Sequence, residues 1–156
     1  MVVNFSKTLP HVLSTIGVED VKEFTIQNLQ QFQQVLWEII DLLNERYVTQ
    51  LAEPFDHYNW INHNQNDEVA YFLNEATSNI FNYTEGKLPL FQLWFGSKGF
   101  VIGITQPGKG FNAQEVHTKN SFQNQGGAFT FFKQCKQTIF FDSLTNTTSV
   151  YLEYIV

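Results

Sequence analysis

Apolar positions recur at two different periods along the chain, and the change from one period to the other sets the expected order of elements. From Leu29 onward Phe32, Leu36, Ile40, Leu43 and Tyr47 fall on one stripe, with Gln30, Gln31, Gln33, Gln34 and Glu38 on the wet side. Steps of three and four residues return to the same face of a helix, so this stretch is predicted helical. Val35, Trp37, Ile39 and Leu42 widen the apolar face. The helix is therefore expected to be covered on more than one side, by the N-terminal arm or by a second subunit. Asn28 stands immediately before it, where a side-chain oxygen can accept from the unpaired amides of the first turn.

A second helix is predicted over Asp67 to Tyr83, where Val69, Phe72, Leu73, Ala76, Ile80 and Tyr83 form the stripe. Glu75, Asn79 and Asn82 fall on a face flanking that stripe, which places a carboxylate and carboxamides at the edge of the core. The period then shortens. The runs Leu90 to Phe95 and Phe100 to Thr105 flank Gly96-Ser97-Lys98-Gly99 and predict a hairpin. The second run leads into Gln106-Pro107-Gly108-Lys109-Gly110-Phe111, where glycines permit positive φ and close approach of the backbone to a ligand. Residues 112–125 are polar and have no apolar period. Gly126-Gly127 opens an expected helix to about Lys136, followed by strands at Thr138 to Asp142 and Ser149 to Ile155 around a polar turn at Thr145-Asn146.

Two strand pairs separated by a glycine-led helix, after two earlier helices, predict an α+β chain. The expected form is a two-layer α/β sandwich, its mixed and mostly antiparallel sheet covered on one face by about three helices. Val2 to Gly17 is compatible with a short helix, an extra strand or a packed arm. Asp20-Val21-Lys22-Glu23 offers a helix cap, while Val21 to Ile26 alternates and favours a strand.

Composition narrows the function classes. At 156 residues, with 43% hydrophobic and 15% charged residues, the chain suits one globular domain, 1–156, with residues 1–20 as an arm and 21–156 as its body. The 16 phenylalanines are spread over every segment and are expected to fill a core rather than form a stacking platform. A net charge of −6 with only nine Lys and Arg argues against a nucleic-acid partner, which needs clustered cations. No apolar run is long enough to cross a bilayer, the first residues do not resemble a signal peptide, and the lone Cys135 is expected to be a buried thiol. A cytoplasmic protein without a membrane partner is the expectation.

Two groups invite chemistry. His57 and His63, with Asp56 and Asp67, suggest a metal cluster, but histidines six positions apart match neither a helical pair nor a finger. They are expected to be solvated. Glu75 and Asn79 are the better pair, although from spacing alone they are equally ordinary polar residues beside an apolar stripe. Lys109 and Lys119 are expected to be exposed side chains.

Asn74-Glu75-Ala76-Thr77-Ser78-Asn79-Ile80-Phe81-Asn82-Tyr83 resembles the N-box helix of the histidine-kinase-like (GHKL, Bergerat-fold) ATPases, particularly the anti-sigma-factor serine kinases. Pro107-Gly108-Lys109-Gly110-Phe111 resembles their next glycine box. Gln125-Gly126-Gly127-Ala128-Phe129-Thr130-Phe131-Phe132 resembles the later glycine turn. The resemblance runs from about Lys22 to the C-terminus, leaves residues 1–20 outside, and favours a strand and helix start at Phe24-Thr25-Ile26-Gln27-Asn28.

The resemblance implies ATP and magnesium as cofactors. Asn79 would ligate the metal, Glu75 would act as catalytic base or orient a water, and Asn82, Gln106, Gly108, Gly110, Gly126 and Gly127 would contact the nucleotide. Gln106 stands where the family has an aspartate that accepts from the adenine amino group. A neutral acceptor there would weaken binding by ~1–2 kcal/mol. The function expected is a regulatory ATP-binding protein or serine kinase with a degenerate site, acting on a sigma or anti-anti-sigma type partner or on itself by self-association. Two alternatives stand beside it: a related protein-interaction module that binds no nucleotide, and an α+β domain enclosing a small apolar ligand.

Overall fold

The N-terminal residues, which the apolar pattern leaves open, supply three elements: β1 (Val2–Val3), α1 (Leu9–Ile16) and the first residues of β2 (Val18–Thr25). Then follow α2 (Leu29–Arg46), β3 (Leu90–Gly96), β4 (Gly99–Thr105), β5 (Thr138–Phe141) and β6 (Ser149–Ile155). The computed structural model describes residues 2–56, 68–74, 89–106, 110, 112–113 and 137–156. Residues 68–74 are helical.

Local chemistry sets the boundaries. Pro10 lies in the first turn of α1, where a missing amide costs nothing. Gly17 ends that helix at φ 66°, with its N–H directed to the carbonyls of Leu13 and Ser14. A left-handed residue at this point is what glycine provides without steric penalty. Asn28 caps α2 as expected, accepting from the Gln31 N–H at 3.0 Å.

The strands form one six-stranded sheet in the order β1-β5-β6-β4-β3-β2. Every pairing is antiparallel except β1 with β5. Strands at 90–96, 99–105, 138–141 and 149–155 therefore share a sheet, as the sequence predicts. The strand expected at Val21 begins earlier, at Val18, so the boundary placed after residue 20 falls inside β2.

On one face Phe91, Leu93, Phe100 and Ile102 meet Phe32, Leu36, Ile40 and Leu43 of α2. Val69, Phe72 and Leu73 of the 68–74 helix join the same cluster. This is the expected α+β sandwich. The cluster also takes in Leu51 and Phe55. Asn44 holds Phe55 there, donating to its carbonyl at 2.8 Å and accepting from its N–H at 2.7 Å.

The reverse face is not bare. Val12 and Ile16 of α1 pack on Trp94, Val101, Phe140 and Tyr151. The arm thus forms a partial third layer, which explains why β3 and β4 carry continuous apolar runs rather than alternating ones. Gly103 lies beneath Trp94 and Tyr151, and a Cβ there would sit 2.8 Å from atoms of both rings. Those rings meet edge to face, centroids 6.0 Å apart.

The end of α2 is fastened to the β3–β4 hairpin by one hydroxyl. Tyr47 Oη accepts the Gly96 N–H at 3.1 Å and offers its proton to the carbonyls of Gly96 and Gly99, each 2.9 Å away. The same turn is tied to the end of α1, the Ser97 and Lys98 amides donating to the Gly17 and Ile16 carbonyls at 3.2 and 3.0 Å.

Candidate functional site

Gln106 follows the last residue of β4, and its backbone N–H donates to the Thr148 carbonyl at 2.7 Å. Farther along the chain, the Ala113 N–H donates to the Leu144 carbonyl at 2.9 Å. Gly110 lies between these two anchors. A Cβ at Gly110 would stand 2.3 Å from Asn146 Oδ1 and 2.8 Å from both the Asn146 carbonyl carbon and the Thr147 carbonyl oxygen. The described parts of the 106–113 loop are therefore laid against the connection between β5 and β6.

That connection is built by Asp142. Its carboxylate accepts from the Thr148 N–H at 3.1 Å, the Ser149 N–H at 3.0 Å and the Thr148 hydroxyl at 2.7 Å. The Thr147 hydroxyl, buried, donates to the Ser143 carbonyl. Where β4 meets β6, Thr105 Oγ1 and Ser149 Oγ lie 2.7 Å apart in the register pair Thr105↔Ser149. Asp142 thus holds a rigid polar turn at the end of the sheet, with both carboxylate oxygens engaged. Sequence reasoning marked this stretch as a turn and missed Asp142. The available signal was an Asp in a Ser/Thr/Asn-rich segment, the usual chemistry of side-chain to backbone bonding.

Gly110, offered by the sequence for close approach to a ligand, lies against Asn146 and Thr147 of this chain. Gln106 and Gly110 are brought onto one loop segment beside the 142–148 turn. Glu75, Asn79, Asn82, Gly108, Gly126 and Gly127 lie outside the described residues. So do His57, His63, Asp67, Lys109, Lys119 and Cys135.

The start of the 68–74 helix adds an electrostatic feature. Glu68 Oε2 is shielded from solvent and has no hydrogen-bond partner among the described residues. Asn74, the first residue of the box carrying the resemblance, donates from Nδ2 to the Ala70 carbonyl at 2.7 Å, within its own helix. Among the described residues no group of three or more His, Cys, Asp or Glu side chains is placed to hold a metal ion. The aromatic core packs on itself: Phe100 and Tyr154 stack at 4.9 Å, and Phe55 sets its edge on both, at 5.9 and 5.2 Å.

No protein-family model, curated protein or solved structure matches this chain. No helix among the described residues is long and apolar enough to cross a membrane.

Proposed function

We propose that the chain is a cytoplasmic, ATP-binding regulatory domain resembling the histidine-kinase-like ATPases, of the anti-sigma serine kinase kind. The observation that carries this reading is the arrangement of its elements. A capped helix and the 68–74 helix lie together on one face of a mostly antiparallel sheet, and the loop beginning at Gln106 leaves the end of β4. In this reading Glu75 and Asn79, four positions apart in the sequence, would take the base and metal roles, and magnesium would neutralise charge on the ATP phosphates. The regulatory partner is a sigma or anti-anti-sigma type protein.

A second reading is favoured by the contacts of Gly110. The space beside its α-carbon is filled by Asn146 and Thr147, and the loop is anchored to the 142–148 turn at both described ends. A loop committed to its own chain suits a protein-interaction module that has lost its nucleotide, in keeping with Gln106 in place of an acidic acceptor. Calorimetry with ATP and magnesium separates the two. Nucleotide binding predicts weak heat in wild type, less in Asn79→Ala, and tighter binding in Gln106→Asp, where the charged acceptor strengthens the hydrogen bond to the adenine amino group. Absence of heat and of any thermal shift at millimolar ATP, in wild type and Gln106→Asp alike, would leave the interaction module as the function.

A further inference from the structure

The outer edge of β2 is the longest open strand edge among the described residues, and its chemistry points to a safeguard. Seven of the eight residues from Val18 to Thr25 are exposed, and Phe24 alone is buried. Val18 and Val21 are 41% and 51% exposed. An edge of this length with exposed valines is a template on which another strand can pair through its outward amides and carbonyls. In an antiparallel ladder each residue turns its N–H either toward its partner strand or away from it. The Val21 N–H donates to Asp20 Oδ1 at 2.9 Å, so it is turned away from β3, and a carboxylate already occupies it.

We propose that Asp20 closes the β2 edge against strand pairing with a second copy of this chain. Three features act together. Asp20 takes the amide at the centre of the edge. A register irregularity between Val18 and Asp20 breaks the regular ladder just beside it. The strand also carries three acidic residues, Glu19, Asp20 and Glu23, against one lysine, Lys22. Two copies brought edge to edge therefore repel. Lys22 and Glu19 are further engaged with the helix behind, Lys22 with Glu38 at 3.2 Å and Glu19 with Arg46 at 2.8 Å. A second copy is the relevant occupant because each molecule offers the same edge, and like edges meet across a two-fold axis.

Sedimentation of three proteins over a concentration series tests the proposal. Asp20→Ala removes both the cap and the charge, and is expected to self-associate about tenfold more tightly than wild type. Asp20→Asn keeps a side-chain oxygen for the Val21 amide but gives up the charge, and is expected to associate more than wild type and less than Asp20→Ala. Adding Val21→Pro to Asp20→Ala removes the outward N–H and should restore wild-type behaviour. Unchanged association in Asp20→Ala would overturn the proposal. Equal association in Asp20→Ala and Asp20→Asn would overturn it as well, since the hydrogen bond to the Val21 amide would then contribute nothing to closing the edge. Independently of folding in the variants, the Val21 amide of wild type should be protected from hydrogen exchange. Exchange at the rate of an unprotected amide would also count against it.

Discussion

Tyr47 joins the end of α2 to the turn between β3 and β4. Its hydroxyl satisfies the Gly96 amide and shares a proton between two hairpin carbonyls, in a position nearly closed to water. Tyr47→Phe leaves those backbone groups buried without the partner, and is expected to cost ~1–3 kcal/mol in urea unfolding with the slope unchanged. Burial also pushes the Tyr47 phenol above its ordinary value of 10.0, opposed by the Gly96 hydrogen bond and by Arg46. Tyr151 is raised for the same reason, burial, against a lowering hydrogen bond from Ser149. Between the ordinary phenol value and the raised one, the folded chain holds protons that the unfolded chain has lost. Stability is thus fully present below about pH 10 and falls as pH rises above it. Tyr47→Phe should flatten that alkaline decline, and an equally steep decline in the variant would show that Tyr47 does not contribute to it.

Within the sheet, glycines mark where strands and rings approach most closely, and the nature of the obstacle ranks their substitutions. A Cβ at Gly103 meets the rings of Trp94 and Tyr151, which can tilt, so Gly103→Ala should cost ~1–3 kcal/mol and alter the near-ultraviolet circular dichroism. A Cβ at Gly99 would stand 2.2 Å from the Tyr154 carbonyl oxygen. Backbone has to move, so Gly99→Ala should be the more destabilising of the two; the reverse order of urea midpoints would contradict this account. These positions also show what sequence pattern can and cannot convey. α2 was legible because its stripe spans five turns and Asn28 caps it, and β3 and β4 because a glycine-flanked pair of residues separates two apolar runs. α1 was not, although Leu9, Val12, Leu13 and Ile16 carry a helical period that ends at Gly17. Two turns of periodicity also fit a strand or an arm, and Pro10 reads as a breaker until its place in the first turn is known. At the site, Gln106 and Gly110 were found as loop residues. Spacing alone does not distinguish a glycine that makes room for a phosphate from one that makes room for Asn146.

Across the whole molecule, the first 25 residues bind the sheet together. β1 and β2 are neighbours in the chain, yet they occupy opposite edges of the sheet, and α1 lies over the strands between them. A chain beginning at Val18 would uncover Trp94, Val101, Phe140 and Tyr151 together. It is expected to bind more of a hydrophobic dye and to associate more than the full chain; a truncated chain with no added dye signal would show that α1 is dispensable as a cover. The same topology bears on how the protein is made. β1 pairs with β5, Val2 standing opposite Thr138, so β1 waits for a partner that lies far along the chain and is translated well after it. At ordinary elongation rates that interval is on the order of ten seconds. Throughout it Val2 and Val3 have no strand to pair with, and that edge of the sheet is completed only after β5 has been made.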